Sequence, residues 1–485
     1  MSKPNLPARR AGAITDEGRE QVLKLVEAAA QEHLKQIDDR RTWIAEPERL
    51  LARFEGALPE AGTGAERAIR QLIDDGLPVA TNSIGPRFFH FVVGGVTPAA
   101  LAADWFTSLV DQMAYAWAGS PLASRLEQIS IRWLLDLFGL PARWGGVLTT
   151  GATTGNMVCL AGARQWWGEQ EGIDIGEEGL VRQPPVLAGG YLHPSAYKAL
   201  AILGVGRARI QKLTANDTGA TDLPALERAL QALGGKPSIV IATAGDPNAG
   251  GFDPIEPMAE LARRYNAWLH IDGAFGMFAA CAPDLAHLVR GADGARSVSV
   301  DLHKWMNVPY DSGAAFIHDL RYLARAFHHQ ADYLPDADDP HPNFGFLVPE
   351  MSRRARAFPV WATLQAYGRQ GIRALVEGTV ALAARLAAQA EAAPDLELLA
   401  PHQLNAVCFR YHPPGLDDAA RLDELNTRIH ERVIEDGRVY FGATRYAGRV
   451  AFRPTLVNWR TREEDVDLLV SVIREIGGRL HAEGL

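Results

Sequence analysis

From residue 145 to residue 317 the chain alternates short β-like runs with helix-like runs, and no other feature restricts its possible folds so sharply. The β-like runs cover residues 146–149, 185–187, 238–242, 267–271, 297–300 and 313–317, and none contains Asp, Glu, Lys or Arg. Between them the spacing predicts helices over 156–167, 195–203, 224–233 and 257–265. Strands that take turns with helices in this way build an α/β domain, a mainly parallel sheet with helices on its faces. Ligands of such sheets bind at the carboxyl ends of the strands.

The residues able to do chemistry fall at those ends. Trp268-Leu-His-Ile-Asp-Gly-Ala-Phe275 places Asp272 where one run stops, and Ser299-Val-Asp-Leu-His-Lys-Trp305 places Lys304 just after another. A lysine and an acid so placed are what a pyridoxal 5′-phosphate (PLP) enzyme needs. The lysine forms a Schiff base, and the acid keeps the pyridine nitrogen protonated. A buried carboxylate is costly unless paired, and a pyridinium N–H is such a partner. Lys304 needs a lowered pKa to act as an amine nucleophile, which burial or a cationic neighbour supplies. His270 is expected on the face opposite Asp272, in a structural role. Thr149-Thr-Gly-Ala-Thr-Thr-Gly-Asn-Met157 follows a strand and opens a helix, so its backbone N–H groups can cradle a phosphate, although such turns also serve structure alone. His193 follows another run and either stacks on a flat ring or caps a helix. Thr243 faces a cofactor or caps its turn.

A chain of 485 residues suggests two or three domains. The net charge of −9 leaves no basic footprint and argues against nucleic acid as a partner. Cys159, Cys281 and Cys408 show neither CxxC nor metal-like spacing, so no metal site is expected and the thiols suit a reducing compartment. With no apolar signal region and no apolar run of membrane-spanning length, the expectation is a cytoplasmic protein without a membrane partner. Residues 15–58 read as helical with no sheet partner, which suits packing across a second subunit. Residues 335–342 read as a proline-rich loop, and 364–393 as a long helix. A smaller unit follows, with strands near 406–411 and 449–453 and a last helix near 463–476. The expected organisation is a dimer-forming helical segment over 1–84, a large cofactor-binding domain over 85–370 and a small domain over 371–485.

In order along the chain, the motifs resemble the group II pyridoxal-dependent decarboxylases of the aromatic-L-amino-acid decarboxylase type. The resemblance runs from about residue 85 to the C-terminus. It rests on Gly85-Pro-Arg-Phe-Phe89, Trp117-Ala-Gly-Ser-Pro121 with Leu126-Glu127, the 149–156 loop, His193-Pro-Ser-Ala-Tyr-Lys198, Ala242-Thr-Ala-Gly245, Phe252-Asp-Pro-Ile255, His270-Ile-Asp-Gly-Ala274, His303-Lys-Trp305 and Ser352-Arg-Arg354. It implies the aspartate-aminotransferase-type fold (fold type I), with a mainly parallel large domain and a small α+β C-terminal domain. It implies decarboxylation of an L-amino acid, aromatic by the family's habit, to the amine and CO2. In that pattern Lys304 carries the cofactor, Asp272 holds its pyridine nitrogen, Ala274 lies under the ring and His193 stacks on the other face. Ala152 and Thr153 bind phosphate, joined near the cofactor by Thr243 and His303. Phe91, Tyr115 and Trp117 match substrate-pocket positions, and the family's members are homodimers with sites at the interface.

Three departures stand out. Where the family's mobile loop offers a tyrosine as proton donor to Cα, counting back from Arg353-Arg354 reaches Phe344, with Tyr333 nearby. A phenyl ring donates no proton, and the resemblance associates a phenylalanine there with oxidative deamination to an aldehyde, which is the alternative. Gly245-Asp-Pro-Asn-Ala-Gly250 stands where relatives carry threonines, and Asp301 where many have asparagine. An acid beside a phosphate repels it, so Asp301 is expected to point elsewhere. A PLP-binding protein without turnover and an aminotransferase are the further readings, the first opposed by the intact Lys304, Asp272 and His193, the second open because the fold hosts many reactions.

Overall fold

The computed structural model describes residues 18–44, 47–214, 219–329 and 341–484. Its centre is a seven-stranded sheet: β1 Gly145–Thr149, β2 Val186–Ala188, β3 Ile210–Lys212, β4 Ser238–Thr243, β5 Ala267–Asp272, β6 Ser297–Asp301 and β7 Gly313–Ile317. The spatial order is β1-β7-β6-β5-β4-β2-β3. Pairings from β6 through β3 are parallel, and β7 runs antiparallel to both its neighbours. The sheet is covered on both faces, and the strands show it. In β4, Ile239 and Ile241 enter one core with Trp166 and Leu200, while Val240 and Ala242 enter the other with Leu226 and Met258. A strand buried on both sides reads as an unbroken apolar run, which is why β4 was legible. The sequence reading passed over β3. It is an edge strand whose Gln211 and Lys212 are exposed, so it lacks the apolar run that marks its neighbours.

The opposite edge is closed by an ion pair. Leu148 of β1 donates its N–H to Glu127 (2.9 Å) and its carbonyl accepts from Arg353 (2.7 Å). Arg353 and Glu127 meet at 2.9 Å, each 1% exposed, and Arg353 also donates to the Ala114 carbonyl. Two residues distant in sequence thereby satisfy the unpaired side of an edge strand.

A second, antiparallel sheet comprises β8 Leu396–Leu398, β9 Phe409–Tyr411, β10 Ala443–Tyr446 and β11 Arg449–Phe452, in the order β10-β11-β9-β8. Helices Ala419–Asp436 and Glu463–Ala482 share its core with Phe409 and Phe452. The helix Ala357–Ala392, broken at Gly368 (φ 58°), leads from one sheet to the other, and the boundary expected at residue 370 falls inside it. Near the N-terminus, helix Arg19–Gln36 buries none of its own residues. No helix among the described residues is long and apolar enough to cross a membrane.

Candidate active site

Five of the implicated residues stand at or just beyond strand ends. Thr243 ends β4, Asp272 ends β5, and His303 and Lys304 follow Asp301 at the end of β6. The turn carrying Lys304 is pinned because the N–H groups of Leu302 and His303 both donate to the Ser312 carbonyl at 3.1 Å. Its backbone also packs so closely on Gly94 that a Cβ there would lie 1.7 Å from the Lys304 carbonyl oxygen. The Lys304 ammonium sits 5.6 Å from the Phe275 ring centroid. Asp272 is 2% exposed. It accepts from Asn156 Nδ2 (2.9 Å) and Ala274 N–H (3.3 Å). No Lys, Arg or His among the described residues lies within ion-pair distance of it.

Behind Asp272 lies a buried polar network that the sequence reading missed. Asn156 is its hub. The amide nitrogen donates to Asp272 and to Ser195 Oγ (3.0 Å), and its oxygen accepts from His270 Nε2 (2.9 Å) and Ser299 Oγ (2.5 Å). His270 Nδ1 meets Ser297 Oγ at 3.0 Å, which accepts from the Trp268 indole N–H at 2.9 Å. Burial lowers the His270 pKa to about 4, so the ring is neutral. The expectation that His270 faces away from Asp272 is corrected here. Residues two apart in a strand share a face, and Asn156 bonds both. His193, capping the helix Pro194–Ile202, accepts the Ser195 backbone N–H on Nδ1 (3.2 Å). A backbone N–H only donates, so the proton of the neutral ring sits on Nε2. Burial lowers the His193 pKa, opposed by Asp272.

Two cavities meet at these residues. One, of about 360 Å³, is lined by His193, Thr243, Asp272, Ala274 and Lys304 together with Phe91, Phe275 and Asn248, and by Thr444 and Arg453 from the second sheet. The other, of about 310 Å³, is lined by Ala152, Thr153, His193, Ala274, His303 and Lys304, with Asp301 and Tyr310. The structure therefore brings together all eight residues expected around a cofactor. The smaller cavity opens on the N-terminus of helix Ala152–Glu171, whose N-cap residue, Gly151, has no side chain to cap it. That is a cup for an anion. Asp301 does not point elsewhere, as its charge had suggested. It turns into this cup, accepting the Ala152 N–H and pairing with Lys304 Nζ at 2.9 Å. Lys304 and His303 outweigh the cost of burying its charge.

Of the four residues expected in a substrate pocket, only Phe91 lines either cavity. Tyr115 packs edge-on against Phe346, and Trp117 stacks on His341. Phe344 is 6% exposed, in a core with Trp166 and Val348, its ring 6.0 Å from the Arg353 guanidinium. The Gly345 N–H bonds the Tyr115 carbonyl and ties this turn into the large domain, so Phe344 packs in that core and lines neither cavity. Tyr333 and most of the expected 335–342 loop lie outside the described residues. Arg453 had no signal in sequence, since nothing there shows that the end of β11 returns to the strand ends of another sheet.

The geometry fits PLP: a buried carboxylate without a cation, a partly buried lysine facing it across one cavity, a neutral histidine and an anion cup alongside. The pyridoxal-dependent decarboxylase conserved domain matches residues 47–412. The chain is 27% identical over 426 residues to the aromatic-L-amino-acid decarboxylase of Bacillus atrophaeus, covering 87% of each. It is 30% identical over 429 residues to the L-2,4-diaminobutyrate decarboxylase of Rhizobium meliloti, covering 87% of this chain and 84% of the relative. The fold is shared with the solved structure of Oryza sativa TDC with PLP and tryptamine, at a TM-score of 0.89 and 22% identity over 96% of this chain and 99% of that one. Its cofactor is pyridoxal 5′-phosphate, and the chain belongs to the pyridoxal-dependent decarboxylases, enzymes that act on amino acids.

Proposed function

We propose that this enzyme converts an L-amino acid, aromatic in its side chain, to the amine and CO2, with the cofactor held through Lys304. The observation that carries the reading is the single cavity that joins Lys304, Asp272 and His193 at the strand ends. When bound, PLP supplies an electron sink conjugated to the substrate's α-carbon. Lys304 is the amine that reaches the cofactor's carbonyl carbon. Asp272, held by Asn156 and Ala274, would accept the pyridine N–H and keep that nitrogen protonated. His193 would present its ring to the cofactor, and Ala152 and Thr153 would offer the helix N-terminus to its phosphate, with Thr243 and His303 alongside. Arg453 donates to the Pro247 carbonyl at 3.1 Å and lines the cavity, where it can take the substrate's carboxylate. Phe91, Val92 and Phe275 form an apolar wall that supports an aromatic side chain.

The burial of Phe344 away from both cavities supports the amine over the aldehyde. Tyr333 is then the phenol that the sequence offers in that stretch. A homodimer is part of the proposal. Helix Pro98–Val110 leaves Trp105, Phe106 and Leu109 exposed, and Phe91, on the cavity wall, is 62% exposed.

The test is a CO2-release screen across the amino acids with PLP-loaded protein, with products identified and oxygen followed. The expected result is CO2 matched by amine, no oxygen uptake, and no release by Lys304→Ala. Aldehyde with oxygen consumption selects the alternative, and absence of CO2 from every amino acid removes decarboxylation.

A further inference from the structure

Asp301 is 4% exposed and turns into the cup that the proposed function gives to the cofactor's phosphate. One carboxylate oxygen accepts the first N–H of helix Ala152–Glu171 and lies 3.4 Å from His303 Nε2. The other pairs with Lys304. Around the same cup stand His193, from the loop after β2, and Tyr310, whose ring centroid is 4.2 Å from that of His303. No arginine lines it among the described residues. Burial pushes the Asp301 carboxyl up, but Lys304 and His303 outweigh burial and hold it below the usual carboxylate range. Lys304 is thus its principal counter-ion.

That arrangement cannot persist once PLP is held. A phosphate monoester has a second pKa of about 6 and is mostly dianionic above it. It competes with Asp301 for the Ala152 N–H, and Lys304 cannot serve both Asp301 and the cofactor. Asp301 is then a buried carboxylate beside a dianion, stripped of its nearest cation. Like charges at this range force a proton onto the pair. We propose that Asp301 and the cofactor's phosphate share one proton, taken from solvent as PLP binds, so that Asp301 becomes a hydrogen-bond donor to the phosphate and cofactor retention weakens as pH rises. The inference rests on Lys304 and this helix N-terminus being the PLP site. An asparagine donates its N–H without taking a proton, so Asp301→Asn is the matched control.

Cofactor-free protein is titrated with PLP at several pH values, and log Kd is plotted against pH for wild type and Asp301→Asn. The wild-type slope should exceed the variant's by about one from about pH 7 to about pH 9, a tenfold weakening per pH unit that the variant escapes. Asp301→Asn then binds PLP more tightly at the alkaline end. Equal slopes overturn the proposal. A measurement on wild type alone serves if the variant does not fold. The infrared difference between PLP-bound and PLP-free protein should show a new protonated-carboxyl band that shifts in deuterium oxide, and its absence overturns the proposal. If wild type binds no PLP at any pH, the site assignment fails, and the proposal with it.

Discussion

His270 shows how much a single side chain behind the site is asked to do. Its ring is fully buried and fixed between Ser297 and Asn156, and burial lowers its pKa to about 4 from 6.5. A depressed value in the folded state means that the neutral ring stabilises the fold. That contribution is complete above pH 6.5 and is lost as pH falls toward 4, because the unfolded chain takes up the proton first. The full loss is roughly 3 kcal/mol at the acid end. Urea denaturation of PLP-saturated wild type and His270→Gln, at about pH 7 and about pH 4.5, should show the wild type losing more stability than the variant by a kcal/mol or more. Equal losses would show that His270 does not titrate in this range. At this scale the sequence was half legible. Lys304 and Asp272 stood out because charged residues at the ends of apolar strands have few structural uses. Asn156 and Ser195 did not, because an amide or hydroxyl in a helix gives no hint of which distant groups it will satisfy. Asp301 was misjudged because its charge was weighed against a phosphate alone and not against the lysine three residues on.

At the scale of elements, the parallel strands were readable where both faces are buried and unreadable where they are not, as β4 and β3 illustrate. The edge at β1 depends on a contact that no local pattern announces. Glu127 and Arg353 are a fully buried pair that also satisfies both backbone groups of Leu148, in the strand leading into the phosphate cup. Removing one partner leaves a buried charge and two unmet backbone groups. Arg353→Ala should therefore cost about 3–5 kcal/mol in chemical denaturation. Replacing both by apolar residues of similar size removes the buried charge but leaves the Leu148 N–H and carbonyl unmet, so it should recover only a small part of that loss. A cost below about 1 kcal/mol for Arg353→Ala would mean that water or a repacked neighbour takes over the edge. Phe344 carries the complementary lesson. Counting residues back from Arg353 placed it opposite the substrate, and tertiary packing placed it in the core. A count across a loop has no physical constraint to hold its register.

Across the whole molecule the cavity is a joint product of two sheets. The large sheet contributes Lys304, Asp272, His193 and Thr243 from strand ends, and the small sheet closes the opposite side with Thr444 and Arg453. The sequence showed the first set because strand order and ligand position are linked in parallel sheets. It did not show the second, because the return of β10 and β11 to that cavity is a property of the folded chain. The proposed function requires that, of all the lysines, Lys304 alone holds PLP. Borohydride reduction of the PLP-loaded enzyme fixes the lysine–cofactor carbon–nitrogen bond, and peptide mass mapping then reads its position. One phosphopyridoxyl group per chain is expected, on the peptide containing Lys304, and none on Lys198, the lysine that ends the His193 motif. A label on any other lysine, or a Lys304→Ala variant labelled as fully as wild type, would contradict it.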